Sequence, residues 1–161
     1  ITCVAPTKAF NLAGLQTAAA VVPDPFLRHK VNRGLNTDEV AEPNVFAIGA
    51  AVAAFTEGEP WLLALRRYLY ENKQIVKKFI KDNLPDLHLV ESEATYLLWI
   101  DCSQICEDSA SLAADIRKKT GLYLSDGVQY GKTGEKFLRM NIACPKERLT
   151  DGLQRLQRAL S

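Results

Sequence analysis

The chain has 161 residues, 47% of them apolar and 24% charged, and 20 lysines and arginines against 19 acids leave a formal net charge of +1. That length holds one ordinary domain, or a small domain with part of another, and the balance is that of a soluble globular protein. Evenly spread charge offers no footprint for nucleic acid or an anionic membrane, and the longest apolar stretch, Leu12 to Val22, is too short and interrupted to span a bilayer.

No basic start followed by an apolar core and a small-residue cleavage site is visible, so no signal peptide is expected. The four cysteines, Cys3, Cys102, Cys106 and Cys144, form no Cys-x-x-Cys pair, and His29 and His88 lie far from them in sequence. A zinc site is therefore not expected. Free thiols in a reducing cytoplasm are the reading, with Cys3 and Cys144 as small apolar residues in strands. The chain opens on Ile1, inside a strand pattern and without an initiator methionine, and reads as a piece of something longer.

Ile1 to Ala5 predicts a buried strand cut off by Pro6. Leu15 to Val22 predicts a second strand, ended by Pro23. Asp24-Pro25 pairs a capping side chain with proline at the first helical position, and the helix it starts is expected to stop at Gly34. Leu35 to Pro43 reads as a polar loop. Asn44 can cap a helix carrying Val45, Ile48, Ala51, Val52 and Phe55, and Gly58 ends it. Pro60 opens a longer helix with an apolar stripe from Trp61 to Ile80, stopped by Pro85. Lys73, Lys77, Lys78 and Lys81 lie mostly off that stripe, as a solvated face or, less simply, a surface for an acidic partner.

The second half changes character. Leu87 to Val90 and Thr95 to Asp101 read as strands, and Asp108 or Ser109 caps a helix with Leu112, Ala113 and Ile116 that ends at Gly121. Leu122 to Leu124 reads as a short strand and Phe137 to Ala143 as another. A last helix carries Leu149, Leu153, Leu156 and Leu160. From about Leu87 onward this is a compact α+β layer.

Three places bear on chemistry. Lys8 follows the first apolar run, where an amine at a sheet edge can meet a carbonyl group; a solvated surface lysine is the plainer alternative. Arg139 interrupts an apolar strand, and its planar fork suits a carboxylate held by two hydrogen bonds, or an ordinary ion pair with an acidic neighbour. The glycines of the loop Ser125 to Gly131 let a backbone approach a ligand or simply serve turns. No Gly-x-Ser-x-Gly elbow, Walker loop, Gly-x-Gly-x-x-Gly or His-Glu-x-x-His occurs.

Ala5-Pro6-Thr7-Lys8-Ala9-Phe10-Asn11-Leu12-Ala13-Gly14-Leu15 resembles the cofactor-lysine segment of the fold-type I class I/II aminotransferases that use pyridoxal 5'-phosphate, most of all the cystathionine β-lyase-like (C–S lyase) subgroup. Thr95 to Asp101, the loop 125–131 and Leu138 to Pro145 follow in the family's order and spacing. The resemblance covers the chain end to end and implies an α/β fold: an α+β C-terminal small domain plus a remnant of the large cofactor-binding domain. It divides the chain into 1–45, the remnant with the lysine segment, 46–86, long connecting helices, and 87–161, the small domain.

By the same resemblance Lys8 is similar to the lysine that carries the cofactor as a Schiff base, and Arg139 to the arginine that binds the substrate α-carboxylate. Thr7 supplies a hydroxyl on the phosphate side. Related enzymes often have a serine three residues before the lysine and an arginine eight after it, where this chain has Ala5 and Gln16; Asn11 belongs to the motif with no role assigned. The implied activity is a cytoplasmic cystathionine/cysteine β-lyase releasing thiol, pyruvate and ammonia from a small amino-acid substrate. Alternatives are an aminotransferase of the same fold and a non-catalytic structural or ligand-binding fragment. Loop 35–44 resembles the segment that reaches a neighbouring subunit, which implies a homodimer when intact. The residues that bed the cofactor would precede Ile1, so the isolated chain is expected to bind it weakly and turn over little.

Overall fold

Pro6 has no amide hydrogen to give a ladder, and the first strand is correspondingly short. β1 (Thr2–Val4) pairs antiparallel with β2 (Ala19–Val21), Thr2 opposite Val21 and Val4 opposite Ala19. Every residue of both strands is exposed, so the buried strand expected over residues 1–5 is instead an exposed ribbon. The second strand is also shorter than expected. Ala13–Leu15 form a 3-10 turn and Gln16 takes a left-handed φ of 50°, which breaks the extended pattern.

These strands belong to the first of two units, Ile1–Arg66 and Arg67–Ser161, in a computed structural model that describes residues 1–161. α1 (Pro25–Thr37) starts as its sequence dictates, Asp24 Oδ1 accepting from the Leu27 amide at 2.7 Å. It then runs through Gly34 rather than stopping there. Gly34 is helical, and side chains brace the last turn: Asn36 Nδ2 donates to the Asn32 carbonyl and Thr37 Oγ1 to that of Arg33, each at 2.8 Å. Asn44 Oδ1 accepts from the Phe46 amide ahead of α2 (Ala47–Glu57). Gly58 alone separates α2 from α3 (Glu59–Asn83). A Cβ there would sit 2.4 Å from both the Ala54 carbonyl oxygen and Phe10 Cε1, so only glycine fits the elbow.

In the second unit, β3 (His88–Leu89), β4 (Leu97–Asp101), β5 (Ser125–Asp126) and β6 (Phe137–Asn141) form an antiparallel sheet in the order β3-β4-β6-β5. Strand alternation sorts its two faces. Leu98 and Ile100 of β4 and Leu138 and Met140 of β6 are buried on one face. There they join Val76 and Ile80 of α3, Ile116 of α4 (Ser109–Thr120), and Leu149, Leu153 and Leu156 of α5 (Lys146–Leu160) in one core. Trp99 and Arg139, paired across β4 and β6, fall on the other face.

Asp108 caps α4, accepting from Ala110 and Ser111, and those bonds, with the Ser111 hydroxyl foremost, hold its carboxyl below the usual carboxylate range. Gly121 ends α4 at a φ of 73°. The strand expected over Leu122 to Leu124 is absent: Leu122 and Leu124 pack on the core without a ladder, and pairing begins only at Ser125. Much of the lysine face is engaged. Lys77 pairs with Glu91, Lys78 with Asp82 at 2.6 Å, and Lys73 donates to Ser92. Exposed pairs of this kind each contribute only about 0–1 kcal/mol.

All four cysteines are free; Cys3 is exposed in β1, and Cys144 lies past the end of β6 rather than within a strand. Cys102 is fully buried, and burial first, then the neighbouring Cys106, pushes its thiol up to about 12. The unfolded thiol titrates near 8.5. Between those values the unfolded chain has lost a proton that the folded chain keeps, so folding weakens as pH rises, by about 1.4 kcal/mol per pH unit from this group alone. Urea unfolding of the chain from pH 8.5 to 11 should therefore give a steeper decline for the wild type than for Cys102→Ala. Parallel declines would remove Cys102 from the explanation.

Candidate active site

The lysine segment is a tight turn, not a strand edge. The Phe10 amide donates to the Pro6 carbonyl at 2.9 Å and the Leu12 amide to the Thr7 carbonyl at 3.0 Å. Asn11 closes that second bond with a left-handed φ of 55°, a conformation asparagine tolerates better than most residues. This is the structural reason for Asn11, a motif residue otherwise without a role. Pro6 is buried beneath the turn. Phe10 anchors it: its ring stacks on Trp61 (centroids 6.1 Å, 26° between planes), meets Phe55 edge-on at 6.2 Å and fills the notch that Gly58 leaves open.

Lys8 is exposed on this turn, takes part in none of the five ion pairs and makes no side-chain hydrogen bond. Thr7, half-buried beside it, leaves its hydroxyl without a partner in the chain. Ala5 and Gln16 are both exposed.

Arg139 lies in the second unit on the face of the sheet away from the core. The register sets three side chains in a row across that face: Trp99 on β4, Arg139 on β6 and Ser125 on β5. Arg139 Nη2 donates to Ser125 Oγ at 3.3 Å, and its Cζ stands 4.5 Å from the centroid of the Tyr130 ring. No carboxylate pairs with it, so the ordinary ion pair, one of the two readings of this residue, does not occur.

The glycine loop closes on itself. A Cβ on Gly127 would lie 2.2 Å from the Gly134 oxygen, and one on Gly134 would lie 2.1 Å from the Gly127 oxygen, so these two glycines serve their own close approach. Gly131, at a φ of 125°, serves a turn. Ser109, fully buried at the start of α4, fastens both ends: its Oγ accepts from the Gly127 amide at 3.2 Å and donates to the Gly134 carbonyl at 3.4 Å. The sequence marks Ser109 only as an alternative cap to Asp108, and gives no sign that it fastens this loop, that Ser125 meets Arg139, or that Tyr130 and Phe10 are braces. Two-residue alternation from Arg139 marks the face that needs partners, but the register to Ser125 has no sequence signal.

The arrangement offers an unpartnered primary amine beside a free hydroxyl on a braced turn, and a guanidinium without an acidic partner on a sheet face. Such donors suit an aldehyde cofactor with a phosphate and an anionic ligand respectively.

The chain matches the family described as aminotransferase class I and II over residues 1–156. Cystathionine beta-lyase PatB of Bacillus subtilis is 38% identical over 161 residues, covering 100% of this chain and 42% of that protein. The pyridoxal-phosphate-bound C–S lyase of Staphylococcus hominis, complexed with the inhibitor L-cycloserine, superposes with a TM-score of 0.85 at 31% identity, over 99% of this chain and 38% of that one. Cystalysin of Treponema denticola, which contains pyridoxal 5'-phosphate, gives 0.91 at 26% identity, over 98% and 40%. The chain thus spans about two fifths of the length of the relatives it matches. Its mixed helix and sheet architecture is that of the fold-type I enzymes, and no helix is long and apolar enough to cross a membrane. By sequence and by fold, the chain belongs to the class I and II aminotransferase family.

Proposed function

We propose that the protein carrying this chain is a pyridoxal-phosphate-dependent C–S β-lyase acting on a small amino acid with sulfur at Cβ, and releasing thiol, pyruvate and ammonia. One observation carries the reading: Lys8 and Arg139 are both left without an acidic partner, in a chain 38% identical throughout to a cystathionine beta-lyase. Residues 1–45 are read as the end of the large cofactor domain, 46–86 as connecting helices and 87–161 as the small domain.

Lys8 would hold the cofactor through its Nζ, and the Thr7 hydroxyl would meet a phosphate oxygen. Pyridoxal phosphate, when bound, supplies the electron sink that lets a proton leave the substrate Cα. Lys8 Nζ, freed as substrate binds, is the base that takes that proton. Arg139 grips the α-carboxylate and fixes which bond at Cα faces that base. In an aminotransferase, the second reading and the one the family's own description favours, Lys8 would hand the same proton to the cofactor side instead.

Borohydride reduction of the full-length protein with cofactor should leave a pyridoxyl label on Lys8 in a peptide map. No label at saturating cofactor would instead favour a non-catalytic domain. Pyruvate release from cystathionine or cysteine without a keto acid then identifies the lyase, whereas amino transfer that depends on added keto acid identifies the aminotransferase. A cytoplasmic homodimer is part of the proposal. It is supported by the resemblance of loop 35–44 to the segment that reaches a neighbouring subunit; the exposed Phe26, Val40, Val45, Phe46, Ile48 and Val52 of the first unit call for cover, by the rest of the protein or by that neighbour.

A further inference from the structure

Arg139 is held from two sides by residues that none of the proposed chemistry uses. Ser125, opposite it in the register, takes one N–H of Nη2. Tyr130 covers a face of the guanidinium at 4.5 Å. Tyr130 is itself braced, since Trp99 meets its ring nearly perpendicular at 5.5 Å, and Phe137 meets Trp99 at 6.0 Å. The loop bearing Tyr130 is fastened at both ends by the buried Ser109.

Arginine side chains carry large rotamer entropy, and a ligand carboxylate that uses two parallel N–H groups must meet the guanidinium in its own plane. A cation lying on an aromatic ring, with one amino group on a hydroxyl, has already lost much of that freedom. Tyr130 is 46% exposed, so its ring adds little to the core. The position it does control is that of Arg139.

We infer that Tyr130 is a positioning residue: it fixes the plane of the Arg139 guanidinium and thereby sets the affinity and selectivity for ligands bearing an α-carboxylate. The ring, not the phenolic hydroxyl, performs this role, because the tyrosine oxygen makes no hydrogen bond within the chain. The inference rests on the proposed role of Arg139 as the carboxylate clamp.

The test compares Tyr130→Leu, Tyr130→Phe and Arg139→Leu with the wild type in the full-length protein with its cofactor, by titration calorimetry with two probes. L-alanine carries an α-carboxylate and no leaving group at Cβ; ethylamine is the same molecule without the carboxylate. Tyr130→Leu should weaken alanine about tenfold, which is about 1.4 kcal/mol, and leave ethylamine within about twofold. Tyr130→Phe should bind both probes as the wild type does. Unchanged alanine affinity in Tyr130→Leu, or equal weakening of both probes, overturns the inference, because a merely structural defect has no reason to single out the carboxylate. Arg139→Leu separates the two failures. If it collapses the alanine preference while Tyr130→Leu does not, only the positioning role falls. If it leaves the preference intact, the carboxylate clamp falls and the positioning role with it.

Discussion

Lys8→Ala in the full-length protein is expected to lower turnover by at least 10²–10⁴-fold, roughly the contribution of a positioned proton-transfer group, and to leave no pyridoxyl label after borohydride. It should do so at almost no cost in the stability of the cofactor-free protein. Lys8 is exposed and bonds to nothing, and surface substitutions of that kind usually fall within about 0.5 kcal/mol. Lys8→Arg should be equally inactive, because a guanidinium keeps the charge yet stays protonated and cannot serve as a base. Spectrophotometric pyruvate assays and urea unfolding curves on the same preparations check both halves. Turnover within tenfold of the wild type, or an activity loss matched by unfolding, would remove Lys8 from the chemistry.

Gly127→Ala should be, with Gly134→Ala, among the most damaging single-methyl changes in the second unit. Its Cβ would lie 2.2 Å from the Gly134 oxygen and 2.7 Å from the Phe137 oxygen, both backbone atoms that no rotamer change can move aside. Overpacking commonly costs about 1–3 kcal/mol and sometimes more, and a double backbone clash belongs at or above the upper end. Gly131→Ala, three positions from Gly134, meets no atom within 4 Å and is disfavoured only by its φ of 125°, at about 1–3 kcal/mol of backbone strain. The two variants therefore separate crowding from conformation. Gly127→Ala should also weaken amino-acid binding, because the loop it distorts carries Tyr130 and adjoins Ser125. Denaturation midpoints and alanine titrations are the measurements. A cost below about 1 kcal/mol for Gly127→Ala would mean that the loop is looser than its packing implies.

What could be read in advance follows from which forces are local. Asp24 and Asp108 announced their helices because a cap is satisfied within three residues, whereas Asn44 only turns the chain ahead of a helix that starts at Ala47, leaving Val45 outside it. Leu149, Leu153 and Leu156 announced the buried stripe of α5, and the alternation through β6 separated Leu138 and Met140 from Arg139. The misses lie where distant partners decide. Gly34 looked like a stop, yet its helix continues because Asn36 and Thr37 reach back to earlier carbonyls. Leu122 and Leu124 looked like a strand, but they supply only side chains to the core. Gly127 is open to two readings in the sequence, close approach to a ligand or a turn, and in the fold it serves a close approach to Gly134. For the site, the family resemblance singled out Lys8, Thr7 and Arg139, whereas the braces around them, Phe10, Ser109, Ser125 and Tyr130, emerge only once the chain is folded.

The central place of β6 has a consequence for motion. Its backbone is paired on one side with β4 and on the other with β5, and Leu138 and Met140 anchor it in the core. Amides in such a strand open for hydrogen exchange only in the largest unfolding events. The lysine turn adjoins a two-stranded ribbon exposed on every residue, where small local openings suffice. In deuterated water the amides flanking Arg139 should thus outlast those flanking Lys8 by orders of magnitude. The guanidinium is mounted on a doubly paired, core-anchored strand, and the amine on a turn beside an exposed ribbon, so exchange should tell the two mounts apart.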